Sequence, residues 1–447
     1  MLRDRSAAAD LRWIICQEGS RQTYAVPLGF HRLGRLRRMY VDIWCRWGRA
    51  WLRRGPAGCR ALATRFHPGI PPERVVAFTP KAALFRTAQH FRRTPDRFKL
   101  SEEYCAFGRW MAACVRDHLR DAELDPVRDC FFGFNSNCLE TLEELKIRGI
   151  FTVLDQVDPG LVEENVICEE AERWPGWEGI PGKASPDYWE RLKSEWALAD
   201  LVLVNSDWSR RALVEQGVPA QKIIVIPLAL ELHADHEWSI VDARGNLKVL
   251  WLGSVILRKG IQYLVEAARR LQHRNIEFLL AGKMGISERA VRSFPANIKV
   301  LGRLTRDQLG ACYRQAQVFV LPTLSDGFAV TQLEAMAHGL PVITTPNCGQ
   351  VVTPGVDGFI VPPRDSEALA DAIARLDNDR TLLREMSHNT LQTIQRYDLP
   401  SNARMIQSEV APRMLKKSIA SNPASLDRQV DHGFEPRTQP TLRRPDV

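Results

Sequence analysis

Short apolar runs alternate with helical patterns along the C-terminal half of the chain. The runs are continuous rather than interrupted at every second position, which is typical of strands in a parallel sheet covered on both faces. Thr305 and Gln308 have the spacing of a capping box, so they mark the start of one helix. The predicted strands are 247–253, 276–282, 298–302, 318–323 and 341–345, and the predicted helices are 260–271, 305–315 and 330–338.

The N-terminal half has similar apolar runs, separated by longer insertions at 31–65 and 157–190. Because strands again alternate with helical stretches, we predict an α/β fold of two Rossmann-like, doubly wound parallel-sheet domains facing a cleft. The candidate strands of this half are 12–17, 74–79, 130–135, 149–156, 201–206 and 222–227.

A polar stretch at 230–246 without strand or helix pattern marks the boundary between the two domains. The N-terminal domain then covers 1–235, including a basic arm at 34–54, and the C-terminal domain covers 240–385. We expect 386–416 to form helices that return to the N-terminal domain. The tail 417–447 lacks apolar periodicity, so we expect it to be disordered.

The composition is that of a soluble globular protein, with 45% hydrophobic and 26% charged residues. No apolar run reaches the roughly 20 residues that span a bilayer, and the N-terminus has no clear signal-peptide pattern. The 10 cysteines are scattered and form no C-x-x-C pair. We therefore expect buried free thiols and a cytoplasmic location, with peripheral association at the inner face of a membrane as a further option.

Positive charge is concentrated near the N-terminus, where residues 1–100 hold 21 Lys/Arg against 6 Asp/Glu. Within 34–54, apolar residues that include three tryptophans recur at helical spacing between arginines. This pattern predicts a basic helix. Its tryptophan face either lies in an anionic membrane interface or packs on its own domain, and the two options stay open. Nucleic acid is less favoured, since no zinc-ligand spacing or RNA-binding consensus is present.

Two acids, Asp326 and Glu334, lie on either side of a glycine turn after the predicted strand 318–323. Backbone N–H groups at the start of the following helix, those of Ala329, Val330 and Thr331, form an anion site suited to a diphosphate. Glu334 then accepts hydrogen bonds from ribose hydroxyls, and Asp326 accepts one from a sugar hydroxyl. The alternative is a polar loop in an ordinary strand–helix–strand crossover.

This stretch resembles glycosyltransferase family 4 and its relatives of GT-B fold, which have the motif Glu-Gly-Phe-Gly followed by Leu-Glu-Ala-Met-Ala-x-Gly-x-Pro-Val. Two positions depart from the pattern, because Asp326 replaces the usual Glu and Ala329 replaces Gly. The resemblance implies a retaining transferase that uses a nucleotide-diphosphate sugar, here a UDP- or GDP-sugar, with no metal or cofactor. The matching residues are Asp326, Gly327, Phe328 and Ala329, followed by 333–342.

A second match lies at 251–267, where the family places cationic contacts to the donor diphosphate. Lys259 and Gly260 fit the family pattern, but the usual Arg after Gly253 is Ser254. Arg258 adjoins Lys259 and is a candidate to compensate. The resemblance also makes Arg303 and Leu304 candidates for contact with the nucleotide base.

The N-terminal domain is expected to bind the acceptor, a sugar or a lipid-linked glycan. Asp155, a candidate catalytic residue, and the pair Asn135–Ser136 lie at the carboxyl ends of predicted strands and are expected to face the cleft. Two alternatives stay open, a catalytically weak nucleotide-sugar-binding module and a GT-B epimerase or phosphorylase. A dehydrogenase and a P-loop NTPase are disfavoured, because G-x-G-x-x-G and G-x-x-x-x-G-K-[ST] are absent.

Overall fold

A computed structural model describes residues 11–55, 57–90, 97–178, 182–232 and 239–421. Its N-terminal sheet is entirely parallel, with the order β3-β2-β1-β4-β5-β6-β7. This order contains the 3-2-1-4-5-6 arrangement of Rossmann folds, with β7 added at one edge. The strands are β1 (Arg12–Gln17), β2 (Leu36–Val41), β3 (Val75–Ala77), β4 (Asp129–Phe134), β5 (Phe151–Gln156), β6 (Leu201–Val204) and β7 (Ile223–Val225).

The C-terminal sheet has the order β10-β9-β8-β11-β12-β13 and is also parallel, so it repeats the Rossmann arrangement. Its strands are apolar on both faces because helices cover both sides; β11, for example, is buried throughout. The predicted fold of two doubly wound α/β domains is confirmed. The strands are β8 (Leu247–Leu252), β9 (Ile276–Ala281), β10 (Ile298–Gly302), β11 (Val318–Leu321), β12 (Val342–Thr344) and β13 (Gly358–Ile360).

Helices connect the strands and form the outer layers of both domains. In the N-terminal domain they are α1 (Ala25–Arg32), α2 (Arg49–Arg54), α3 (Ala57–Ala63), α4 (Thr79–His90), α5 (Arg97–Arg120), α6 (Leu139–Ile147), α7 (Leu161–Arg173), α8 (Pro186–Leu198) and α9 (Asp207–Glu215). In the C-terminal half they are α10 (Ile261–Arg270), α11 (Glu288–Arg292), α12 (Arg306–Gln315), α13 (Thr331–Ala337), α14 (Ser366–Asn378), α15 (Arg380–Thr393) and α16 (Leu399–Ser421).

The predicted basic helix at 34–54 is wrong. Its first part is β2, which pairs with β1 along the register Trp13–Leu36 to Gln17–Val41. Leu36 and Tyr40 are both buried, but in different core clusters, because a register shift follows Leu36 in the pairing with β1. Apolar residues on both faces of this covered strand imitate the spacing of a helix. Only the end of the segment is helical, as α2.

The last two helices serve different domains. Leu383 and Met386 of α15 belong to the core of the C-terminal domain, whereas Ile406 and Val410 of α16 belong to the core of the N-terminal domain. Helix α16 continues through Ser421, beyond the start of the predicted disordered tail. The rest of that tail, 422–447, and the linker residues 233–238 lie outside the described residues.

No described helix is long and apolar enough to cross a membrane. All ten cysteines are free thiols, and six of them are buried.

Asp155, at the end of β5, was expected to face the cleft, but it does not. Its side chain is 1% exposed and borders a cavity of about 10 Å³ together with Asn205, Asn402 and Ile406. One carboxylate oxygen has no hydrogen-bond partner. Burial raises the pKa of Asp155 from 3.8 to about 7, although the positive charge of Arg21 opposes the shift.

This buried carboxyl makes the stability of the N-terminal domain depend on pH. Because its pKa is raised in the folded state, Asp155 stabilises the protein fully below about pH 4 and loses that contribution as the pH rises towards about 7. Between about pH 5 and about pH 8, we expect the wild type to lose roughly 2–3 kcal/mol relative to Asp155→Asn. Urea unfolding of both proteins at the two pH values measures this difference in the free energy of unfolding. The contributions of the other titrating groups cancel, because the two proteins share them. Parallel pH profiles for the two proteins would contradict this account.

Candidate active site

An ion pair between Lys259 and Asp326 lies at the carboxyl edge of the C-terminal sheet. Lys259 ends the short turn before α10, and Asp326 lies in the loop between β11 and α13. Gly260 allows this approach, because its φ is +74° and an added Cβ would lie 1.9 Å from the carbonyl oxygen of Pro322. The glycine of the predicted Lys-Gly pair therefore allows the two loops to lie in contact.

Asp326 is negatively charged although its side chain is largely buried. Burial by itself raises the pKa of this carboxyl, but the positive charges of Lys259 and Arg258 outweigh burial and hold the pKa below its ordinary value. The backbone N–H of Phe328 also donates a hydrogen bond to it. Asp326 is thus an ionised hydrogen-bond acceptor at neutral pH.

The loop from Gly327 to Val330 is tightly constrained. Phe328 is buried, and a Cβ on Gly349 would lie 2.2 Å from its ring. Ala329 has a φ of +66°, the left-handed conformation that favours the glycine of the family motif. Val330 caps α13 and Thr331 begins it, so the free N–H groups of the first turn follow this loop.

Glu334 lies in the first turn of α13 and is held by a neighbouring helix. The hydroxyl of Tyr313 donates a hydrogen bond to its carboxylate at 2.8 Å. The Tyr313 ring stacks on His338, with 4.7 Å between ring centroids, and Nδ1 of His338 donates to the carbonyl of Glu334 at 2.8 Å. The sequence pattern singled out Glu334 but contains no signal for Tyr313, which fixes it.

The other predicted donor contacts occupy the same edge of the sheet. Gly253 and the exposed Ser254 follow β8, and the exposed Arg303 and half-buried Leu304 follow β10. Arg258, the candidate to compensate for the missing arginine at position 254, forms an ion pair with Glu163.

Arg258 connects the two domains. Its guanidinium donates to the carboxylate of Glu163 on α7 at 3.0 Å and to the carbonyl of Ser325 at 2.6 Å. Burial raises the pKa of Glu163 to about 7, and Arg258 opposes that shift. Nearby, the indole of Trp208 donates to the hydroxyl of Ser325 at 3.0 Å. Glu163 lies in the long insertion 157–190, and its position along the sequence does not reveal this contact.

The domains also touch through their backbones. A Cβ on Gly327 would lie 1.9 Å from the carbonyl oxygen of Val157, the residue after β5. Further along α7, Glu170 accepts hydrogen bonds from Gln262 at 2.8 Å and Tyr263 at 3.0 Å. Arg364 also donates to Glu170 at 2.6 Å. Helix α7 therefore forms a continuous polar contact with the C-terminal domain.

A cavity of about 430 Å³ lies at the carboxyl edge of the N-terminal sheet. Asn135 and Ser136 line it as predicted, whereas Asp155 does not. Glu195 fixes their loop by accepting three backbone hydrogen bonds, from Ser136 at 2.6 Å, Cys138 at 3.0 Å and Leu139 at 3.1 Å. The polar side chains that complete the lining are Glu18, Ser20, Arg21, Arg65, Tyr104, Asp158 and Tyr188.

Within the described part of the chain, no group of three or more His, Cys, Asp or Glu side chains has the arrangement of a metal site. The cations nearest to Asp326 are instead Lys259 and Arg258. The cleft can thus hold an anion at the C-terminal domain and a polar molecule at the N-terminal domain.

Breaking the Arg258–Glu163 pair is expected to weaken the joint between the domains. Arg258→Met leaves a carboxylate partly buried without its cation, which costs roughly 2–4 kcal/mol near pH 8. The cost is smaller near pH 5, since Glu163 is then protonated. Urea unfolding at the two pH values checks this. The matched control is Arg244→Met, which breaks the exposed pair with Asp242.

The double variant Arg258→Met/Glu163→Gln removes both charges and should recover part of the loss. Equal losses for Arg258→Met and Arg244→Met would show that the interdomain pair contributes nothing.

Comparison with known proteins finds relatives for part of the chain and for the whole fold. Residues 246–379 match the family model described as Glycosyl transferases group 1. The putative colanic acid biosynthesis glycosyltransferase WcaL of Salmonella typhimurium is 27% identical over 227 residues, which is 47% of this chain and 53% of that protein. The chain thus spans about half the length of this curated relative.

Two solved structures share the fold over nearly the whole chain. Sucrose-phosphate synthase from Thermosynechococcus elongatus aligns with a TM-score of 0.56 and 19% identity, covering 91% of this chain and 99% of the other. Anabaena Alr3699/HepE in complex with UDP aligns with a TM-score of 0.55 and 16% identity, covering 90% and 100%. The protein therefore has the GT-B fold, and residues 246–379 of its C-terminal domain match the glycosyl transferases group 1 model.

Proposed function

We propose that this protein is a glycosyltransferase that moves a sugar from a UDP- or GDP-sugar to a hydroxyl of a sugar or lipid-linked acceptor. The observation that carries the proposal is the Lys259–Asp326 pair, whose aspartate lies in the loop leading to Glu334. The family of the C-terminal domain and the UDP named with the HepE structure support a nucleotide-sugar donor.

Lys259 and the first turn of α13 are proposed to bind the donor diphosphate. On binding, Lys259 exchanges part of its contact with Asp326 for a phosphate oxygen. The free N–H groups at Val330 and Thr331 approach the same charge. Because these groups stabilise the leaving diphosphate, the reaction is proposed to need no metal and no cofactor.

Asp326 and Glu334 are proposed to recognise the donor's hydroxyl groups. Asp326 is ionised and accepts a hydrogen bond from the transferred sugar. Glu334, oriented by Tyr313, accepts hydrogen bonds from ribose hydroxyls, and Arg303 and Leu304 contact the base. Departure of the leaving diphosphate on the face where the acceptor attacks corresponds to transfer with retention of configuration.

The cavity of the N-terminal domain is proposed to bind the acceptor. Charges at and beside the cavity balance, since Arg21, Arg65 and Arg86 are matched by the carboxylates of Glu18, Asp42 and Asp158. Carboxylates at Glu18 and Asp158 accept hydrogen bonds from hydroxyl groups, which suits a neutral sugar. A glycosyltransferase of colanic acid biosynthesis among the relatives supports this choice.

One observation favours a second candidate, a nucleotide-sugar-binding module of weak catalytic activity. Ser254 supplies no positive charge, and Arg258 is held by Glu163 rather than free to replace it. The leaving diphosphate would then meet one side-chain cation instead of two. A cytoplasmic setting is part of the main proposal and is supported by the ten free thiols.

Incubation with a panel of nucleotide sugars and glycan or lipid-linked acceptors tests the function. Mass spectrometry of the products identifies the transferred group, and NMR of the new anomeric carbon reports retention. We expect transfer from one donor class, unchanged by a chelator. Binding of donors without transfer to any acceptor would favour the weak module, and no binding of any donor would overturn both candidates.

Lys259→Ala and Glu334→Ala are each expected to lower turnover by roughly a hundredfold to a thousandfold, or about 2–4 kcal/mol of transition-state stabilisation. Lys259→Ala acts on kcat, because the charge develops in the transition state. Steady-state kinetics with the donor identified above measures both effects. Lys299→Ala, an exposed lysine on β10, is the matched control and should keep full activity. Survival of turnover in both site variants would contradict the assignment.

A further inference from the structure

Two tryptophans are displayed to solvent on the insertion between β2 and β3. Trp47 is 78% exposed and Trp51 is 81% exposed. Helix α2, which carries Trp51, has no buried residue. The tryptophan patch is defined here as Trp47 and Trp51 with the neighbouring side chains Arg46, Arg53 and Arg54.

The patch lies in a strongly basic stretch of the chain. No Asp or Glu occurs between Asp42 and Glu73. Arg65 is the one arginine of this stretch with a carboxylate partner among the described residues, namely Asp42 at 3.4 Å. The arginines of the stretch are Arg46, Arg49, Arg53, Arg54, Arg60 and Arg65.

The other arginines in the stretch are not neutralised by their contacts. Arg46 lies over the ring of Trp47 at 4.9 Å, and Arg49 lies over Phe66 at 4.5 Å. Arg60 donates to the carbonyl of Gly55 at 3.1 Å. These contacts orient the guanidinium groups and leave their positive charge in place.

Exposed tryptophans beside uncompensated arginines match the chemistry of an anionic membrane interface. The indole ring is apolar over most of its surface and has one N–H, so it is stable at the headgroup level. Each arginine near an anionic surface adds electrostatic attraction. Other tryptophans of the N-terminal domain lack this exposure; Trp44, for example, packs against Tyr24 and Phe66.

We propose that the tryptophan patch docks the protein onto a bilayer that contains anionic phospholipids. The insertion that carries the patch also reaches the acceptor cavity, because Arg65 lines the cavity and its carbonyl accepts a hydrogen bond from the N–H of Cys45 at 2.8 Å. Docking therefore holds the cavity near the lipid surface. The docking does not depend on the proposed function, whereas its role in supplying a lipid-linked acceptor rests on that function.

Flotation of the full-length protein with lipid vesicles tests the docking without any turnover. One set contains phosphatidylcholine alone, and the other contains phosphatidylcholine with phosphatidylglycerol. We expect binding to the anionic vesicles that weakens at high salt. Trp47→Ser/Trp51→Ser should reduce it at least tenfold, and Arg53→Gln/Arg54→Gln should reduce it severalfold.

Ile147→Ser is the matched control, since Ile147 is 85% exposed at the C-terminal end of α6 and is not part of the tryptophan patch. This variant should bind vesicles as the wild type does. All altered side chains are exposed, and circular dichroism confirms that each variant is folded. Equal flotation of the wild type and the double tryptophan variant would overturn the proposal.

A polyanion control distinguishes a lipid surface from nucleic acid. Bromine-labelled acyl chains should quench part of the wild-type tryptophan fluorescence and quench the Trp47→Ser/Trp51→Ser variant less. A duplex oligonucleotide should bind more weakly than anionic vesicles. Oligonucleotide binding that is tighter than vesicle binding, together with unchanged quenching in the variant, would also overturn the proposal.

Discussion

The site depends on the close approach of two loops from different domains. The backbone at Gly327 meets the carbonyl of Val157 so closely that no side chain fits between them. Beside this contact, Arg258 bonds to Glu163 of one domain and to the Ser325 carbonyl of the other. Both loops follow central strands of parallel sheets, whose carboxyl ends meet at the cleft. The position of Asp326 relative to the N-terminal domain is therefore fixed by backbone contact.

This constraint explains why Arg258 cannot be considered as a spare cation. In the sequence it adjoins Lys259 and stands near the position where the family has an arginine. In the structure its charge balances Glu163, and removing it would leave that carboxylate partly buried without a partner. Lys259 is then the side-chain cation that contacts Asp326. The proposed function therefore assigns diphosphate binding mainly to Lys259 and to the helix start at Thr331.

The sequence predicted the sheets well, because parallel strands buried on both faces are continuous apolar runs. It also predicted the helix that carries Glu334 and the capping box at Thr305, which depend on local spacing. The strand β2 was missed, because its buried residues lie on both faces of a covered sheet and so imitate the spacing of a helix. The strand β13 is three residues long and precedes two prolines, so its pattern is weak.

Contacts between distant segments could not be predicted. Asp155 lies at the end of a strand as expected, but the direction of its side chain depends on which face of β5 meets α16, more than 240 residues later. Tyr313 and Glu163 act on the site through packing between separate elements. The structure of the basic arm also depends on which of its side chains are buried. Leu36 and Tyr40 are core residues, whereas Trp47 and Trp51 remain on the surface.

Calorimetric titration with nucleotides tests most directly whether Lys259 and the loop of Asp326 form a diphosphate site. The probes are UDP and GDP, each compared with its monophosphate, on the wild type and on Lys259→Ala. We expect one diphosphate to bind the wild type at least about tenfold more tightly than its monophosphate, which corresponds to about 1.4 kcal/mol. This preference should be lost in the variant. Equal affinities for the diphosphates and monophosphates in the wild type would contradict the account.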